Sequence, residues 1–170
     1  MQLIQMDPNA NARAWANSYI PASINSNLLT NNRTAFDTNI TIPPALCTIG
    51  AACEIMAKGV FSSTVALGLT ITISMSGVDV ASATITTVAG LTNMPWEIEA
   101  TANILSNGTV EVQGYAGFTS GVNIPFIPIK NTNTFTMDTS NGCPVVISAQ
   151  WGTLSAGGSI TLRQMIVQVL

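Results

Sequence analysis

The stretch Val65-Ala66-Leu67-Gly68-Leu69-Thr70-Ile71-Thr72-Ile73-Ser74-Met75 indicates the fold class of this chain. Its odd-numbered positions are all large and apolar, and its even-numbered positions are all alanine, glycine, threonine or serine. Because side chains alternate between the two faces of a strand, this pattern predicts a strand with one apolar and one small, uncharged face. A solvated face would carry lysine and glutamate, so the small face favours a second surface packed close against it.

The composition extends this pattern to the whole chain. Its 170 residues suffice for one domain with a sizeable core. Charged residues make up 8% of the chain, against about 25% in a typical soluble domain. The chain has 21 threonines, which favour strands, and 15 asparagines, which favour turns. We therefore expect an all-β protein whose low-charge surface contacts copies of itself or a larger assembly; the alternative is a low-charge extracellular sandwich.

The spacing of strand and turn signals predicts a sandwich or a barrel over residues 34–170, preceded by an N-terminal arm over 1–33. Two antiparallel sheets of about four strands each, with long crossings, make a jelly-roll-like sandwich, which is the fold that we expect. The longest expected loop covers residues 119–132. Strands are expected near 36–42, 52–61, 65–75, 78–88, 96–105, 109–118, 133–138, 144–151 and 159–169.

The N-terminal arm is predicted to begin with a short helix over residues 8–18, because Asp7-Pro8 resembles a helix start. Residues 22–33 are expected to be extended. Large aromatic side chains are favoured interface anchors, so we predict that Trp15 and Tyr19 contact a neighbouring molecule; packing on their own domain is the alternative.

The clearest hairpin is predicted over residues 96–118, where two alternating strands flank an Asn-Gly turn. Its outward face carries three of the eight acidic residues, Glu97, Glu99 and Glu111. The loop that follows is unusually apolar, so it either folds onto the sandwich or meets a partner. From this loop we select Ile124, Phe126 and Ile127 as further candidate contact residues.

The sequence offers little catalytic chemistry, and we expect no enzyme, catalytic residue, metal or other cofactor. The chain has no histidine, which removes Ser–His–Asp and Cys–His pairs and the commonest transition-metal ligand. The acidic residues of the hairpin could in principle act as paired carboxylates, but a solvated strand face is the better interpretation. Trp96 and Trp151 could serve as platforms for carbohydrate, yet their places in strands favour the core.

Charge and cysteine content limit the partners. The five cations are scattered along a chain of net charge −3, so we expect no nucleic-acid partner. We expect no membrane partner either, and the N-terminus does not resemble a secretory signal, which predicts synthesis in the cytoplasm. The odd number of cysteines favours buried, reduced thiols; a Cys47–Cys53 bridge is conceivable in an oxidising medium.

Four segments carry a further signal in a fixed order: GLTNMPWEIEA (90–100), FTMDT (135–139), AQWGTLSA (149–156) and ITLRQMIVQVL (160–170). Together they resemble motifs of a group of tailed-phage virion proteins, whose last strand differs in having an aromatic residue and an acid where this chain has Met165 and Gln168. The resemblance covers about residues 35–170. It implies a jelly-roll-like sandwich, usually trimeric, on the outside of a phage particle, without catalytic residues.

The resemblance is compatible with two roles. A short chain with one arm favours a capsid decoration (cement) protein, made in the bacterial cytoplasm, whose homotrimers sit on the virion head and clamp major capsid subunits. The alternative is a fibre or tail-tip knob that binds a receptor or glycan. An exposed groove with Tyr115, Glu97 and Glu111 on its wall would favour the knob.

Overall fold

The computed structural model describes residues 13–25, 31–119, 125–131, 133–138, 140–153 and 156–170, with only the backbone for 13–25 and 37–39. The described residues contain no α-helix, and one 3₁₀ turn lies at Pro44–Leu46. No described helix is long and apolar enough to span a membrane. The strands are β1 (Arg13–Asn25), β2 (Thr34–Ile42), β3 (Ala52–Ser63), β4 (Gly68–Met75), β5 (Val78–Thr86), β6 (Leu91–Ile104), β7 (Val110–Phe118), β8 (Phe126–Lys130), β9 (Cys143–Trp151) and β10 (Gly158–Val169).

The strands form two antiparallel sheets, which confirms the predicted jelly-roll-like sandwich. One sheet has six strands in the order β1-β10-β3-β6-β7-β8, and the other has four in the order β2-β9-β4-β5. Large apolar side chains from both sheets fill the space between them, including Phe61, Ile71, Trp96 and Phe118. Each sheet therefore has an inner face in the core and an outer face turned away from it.

β4 confirms the two-faced strand, although it begins at Gly68 and leaves residues 65–67 outside. Its apolar side chains from Leu69 to Met75 are completely buried in the core. On the other face, Thr72 and Ser74 are also buried. Whether a second surface packs against these small side chains stays a prediction.

The predicted hairpin is also confirmed, with β6 beginning earlier than expected. β6 and β7 pair from Trp96 opposite Phe118 to Ile104 opposite Val110. Trp96 and Trp151 both lie in the core, as predicted. The three cysteines are buried, and burial raises the pKa of the Cys47 thiol to about 11 and of the Cys53 thiol to about 12.

The predicted N-terminal helix is wrong over residues 13–18, and its start at 8–12 lies outside the described residues. Residues 13–25 instead form β1, which pairs along β10 with Arg13 opposite Val169. This pairing satisfies backbone groups of β10 that would otherwise form an open edge, which outweighs weak helix propensity. Residues 13–25 thus belong to the six-stranded sheet, while the role of residues 1–33 as an arm stays a prediction.

Two assignments around residue 130 are corrected. The loop predicted over 119–132 contains β8, an edge strand that pairs with β7. Pro128 within the strand and Pro125 just before it made the segment resemble a loop, but an edge strand tolerates proline because one side of its backbone has no partner strand. Conversely, no strand forms over the described residues of 133–138, where Thr136 makes only an isolated bridge with Thr109.

Candidate functional site

A groove of about 430 Å³ lies on the outer face of the six-stranded sheet. Its volume is in the range of small-ligand sites. Charged, aromatic and small residues from five strands and from the segment after β7 line it. They are Lys58, Gly59, Val60, Pro95, Trp96, Glu97, Gly117, Thr119, Phe126 and Arg163.

Strand register brings the central residues of the groove into one row. Lys58 of β3 is directly opposite Glu97 of β6. Glu97 is in turn opposite Gly117 of β7, and Gly117 is opposite Phe126 of β8. Because directly opposite residues share a face, the side chains of this row all project outward. The row therefore places a cation, a carboxylate and an aromatic ring along a single line across the sheet.

Arg163 enters the groove at a β-bulge. The pairing of β10 with β3 shifts between Leu162, opposite Gly59, and Gln164, opposite Lys58. Arg163 is the extra residue at this shift, and it is exposed whereas Leu162 is buried. Arg163 thus lies on the outer face, where it lines the groove together with Lys58.

Phe126 forms the aromatic wall of the groove and is 61% exposed. Its ring packs edge-on against Tyr115, with ring centroids 5.5 Å apart. A Cβ atom at Gly117 would lie 3.4 Å from both the Phe126 ring and the Glu97 side chain. The glycine thus keeps open the space between the ring and the carboxylate.

Tyr115 is held by the acidic face of the hairpin. Its hydroxyl donates a 2.6 Å hydrogen bond to Glu99 Oε2, and this bond, with smaller contributions from burial and from the Glu99 and Glu97 charges, raises the pKa of Tyr115 to about 12. The phenol is therefore protonated at neutral pH and keeps the ring that supports Phe126 in place. Glu111 lies farther along the same face, opposite Asn103.

The floor of the groove rests on a buried indole. Trp96 stacks with Phe36, and its Nε1 donates a 3.2 Å hydrogen bond to the Thr161 carbonyl of β10. The bond passes over Gly59, where a Cβ atom would lie 1.8 Å from that carbonyl oxygen. This hydrogen bond and the close approach at Gly59 hold β3, β6 and β10 together directly beneath Lys58 and Arg163. We call this contact the locked junction.

The structure separates the predicted contact residues. Trp15 and Tyr19 lie in β1, and Phe126 and Ile127 lie in β8, at the opposite edge of the six-stranded sheet. Phe126 reaches the groove, whereas Ile127 packs partly against the core. Ile124 lies outside the described residues. Whether these residues contact a partner stays a prediction.

In the sequence, the two groove cations are far apart and resemble scattered charges. Their proximity depends on the register of β3 and β10, which the sequence does not reveal. One signal was available, because Arg163-Gln164 places two polar residues in succession between the apolar Leu162 and Met165. Such a break in alternation is typical of a bulge.

The outer face of the four-stranded sheet is small and rich in hydroxyls. Thr70 and Thr84 hydrogen-bond through their hydroxyls at 2.8 Å, and Ser74 donates to Asp79 at 2.8 Å. Arg33 forms an ion pair with the same Asp79 carboxylate, so the segment before β2 crosses this face. Ser148 is 3% exposed, and its hydroxyl has no hydrogen-bond partner among the described residues.

Three exposed apolar residues belong to segments that meet at one end of the six-stranded sheet. Ile49, Leu105 and Leu170 are 61%, 40% and 57% exposed. Backbone hydrogen bonds bring their segments together, from Gly50 to Ile104 and from Leu170 to Ala52. We call these three residues the end patch.

Among the described residues, no group of three or more cysteine or acidic side chains is placed to hold a metal ion. No known protein family and no curated protein sequence matches the chain.

Several solved structures are similar to the chain at low sequence identity. A winged bean acidic lectin complexed with methyl-α-D-galactose has a TM-score of 0.43 and 11% identity, covering 94% of this chain and 98% of the lectin. Arcelin-5, a lectin-like defence protein from Phaseolus vulgaris, has a TM-score of 0.46 and 8% identity over 99% of this chain and 96% of arcelin. The CBM2 module of the evolved Dit of Lactobacillus casei BL23 phage J-1 has a TM-score of 0.40 and 11% identity, covering 96% of this chain and 80% of the module. These similarities concern the arrangement of strands.

Proposed function

We propose that this protein is a non-enzymatic structural component of a phage particle, acting as a capsid decoration (cement) protein. In this proposal it is made in the bacterial cytoplasm, forms homotrimers on the virion head and holds adjacent major capsid subunits together. The sequence motifs that resemble tailed-phage virion proteins support the virion location. The observation that carries the assembly role is the end patch.

The end patch suits contact between copies of the chain. Ile49, Leu105 and Leu170 come from three separate segments, yet backbone hydrogen bonds hold those segments side by side. Apolar side chains that are exposed near one another are candidates for an interaction site. Because only 8% of the residues are charged, little like-charge repulsion opposes close approach of identical subunits. Capsid contacts are assigned to the predicted residues Trp15, Tyr19, Ile124, Phe126 and Ile127.

Mass photometry of the full-length protein and co-sedimentation with empty capsids of its own phage test this proposal. The I49S/L105S variant is expected to shift trimers toward monomers and to reduce capsid loading, because binding to the assembled lattice is multivalent. V88S is the matched control, since Val88 is an exposed apolar residue outside the end patch. A wild-type protein that is monomeric at micromolar concentration and does not load onto capsids would contradict the proposal.

A second candidate function is a receptor- or glycan-binding knob, and the groove favours it. The groove carries Glu97, as expected for such a knob, and Tyr115 supports its aromatic wall. Glu111 lies farther along the hairpin. Binding of the purified protein to host cells, without loading onto capsids, would support this role over the first.

A further inference from the structure

The groove concentrates positive charge in a chain that has little of it. The chain has five lysine and arginine residues, and two of them, Lys58 and Arg163, line this one groove. Lys58 is directly opposite Glu97, yet neither groove cation forms an ion pair within the part of the chain that the structure describes. Both charged groups are therefore available to an anionic ligand.

The placement of Arg163 is a local feature of the fold. In a regular strand, side chains alternate, so Leu162 would face inward, Arg163 outward and Gln164 inward again. The bulge instead places Arg163 and Gln164 consecutively outside the core. Bulges of this kind redirect side chains near binding sites. Arg163 faces outward by simple alternation after Leu162, and the bulge turns Gln164 outward as well, so two polar residues of β10 lie next to Lys58.

The other end of the groove is apolar and flat. Phe126 keeps most of its ring exposed, and Tyr115 fixes the ring from the side. Gly117 leaves open space between this ring and Glu97. An exposed aromatic ring beside a hydrogen-bonding carboxylate suits a ligand with one apolar face and hydroxyls around its edge, and a pyranose ring has this shape.

We propose that the groove binds an acidic saccharide, with a sugar ring on Phe126, a hydroxyl bonded to Glu97 and a carboxylate or phosphate on Lys58 and Arg163. The row from β10 to β8 crosses five adjacent strands, which is about 19 Å at the usual strand spacing. This length accommodates more than one sugar ring. The inference rests on the second candidate function and does not depend on capsid binding.

An array of immobilised carboxylated, phosphorylated and neutral glycans, probed with the full-length protein, tests the proposal. Wild-type protein is expected to bind acidic glycans and to lose binding as salt concentration rises. The K58A/R163A variant is expected to lose at least about tenfold in affinity, since each cation can make a charge-assisted hydrogen bond. F126A is expected to weaken binding as well, and comparison of the two acidic glycan classes identifies the preferred anion.

K130A is the matched control, because Lys130 is an exposed cation of the same sheet that does not line the groove. It should bind like the wild type, and all variants should keep the wild-type melting temperature. Failure to bind any acidic glycan, equal binding of neutral glycans, or unchanged binding by K58A/R163A would overturn the inference. A parallel capsid co-sedimentation assay separates these outcomes from failure of the decoration role, since that role can hold without glycan binding.

Discussion

The substitution G59A tests the junction beneath the groove. A Cβ atom at residue 59 would lie 1.8 Å from the Thr161 carbonyl oxygen and 2.9 Å from Trp96 Nε1. The contact with the carbonyl oxygen is more than 1 Å shorter than real Cβ contacts, so β10 must move away from β3, and this movement pulls the carbonyl away from the indole that donates to it. Overpacking costs about 1–3 kcal/mol, and leaving a buried polar group unpaired costs about 1–3 kcal/mol more.

We therefore expect G59A to lower the free energy of unfolding by about 2–6 kcal/mol, which corresponds to a fall in melting temperature of roughly 4–24 °C for a domain of this size. Urea denaturation followed by tryptophan fluorescence measures the loss, provided that the slope of the transition is unchanged. G68A is the control, because its Cβ atom would make a contact of 3.4 Å with Gly152. If G59A were as stable as G68A, the locked junction would be refuted.

Three further predictions concern side chains near the groove and in the core. Because the pKa of Tyr115 is raised to about 12, the absorbance change of its phenol should be centred near pH 12. The E99Q variant should shift this midpoint back toward pH 10. The part of the folding free energy that is linked to this proton is present below pH 10 and is lost between pH 10 and 12. Cys47 and Cys53, with pKa values raised to about 11 and 12, should react slowly with a disulfide reagent at pH 8 and much faster in urea. W96F should lower the free energy of unfolding by about 1–3 kcal/mol, measured by urea denaturation, because the core loses part of the buried indole and the hydrogen bond that its Nε1 donates to β10.

The parts of the fold that were predictable from sequence are those in which local pattern and tertiary environment agree. β4 alternates without interruption, and the β6–β7 hairpin combines alternation with an Asn-Gly turn, so both were identified. β1 was missed because the Asp7-Pro8 signal favours a helix locally, whereas the edge of β10 favours a strand. β8 was missed because Pro125 and Pro128 read as loop residues until its edge position is known.

The candidate groove was predictable only in part. The outward face with Glu97 and Glu99 follows from alternation within the hairpin. Phe126 is predicted as a contact residue because it lies in an unusually apolar segment. The meeting of Lys58 with Arg163 could not be predicted, because it depends on which strands are neighbours and on one bulge in their register. Pairing between strands that are distant in sequence depends on how all the strands of the sandwich pack, and local sequence does not contain that information.

Mass photometry of the full-length wild-type protein, alone and after incubation with empty capsids of its own phage, tests the central proposal most directly. We expect a particle with three times the 17.7 kDa mass of the chain, and we expect it to be depleted from solution when capsids are added and sedimented. A monomer that remains in solution in the presence of capsids would contradict it.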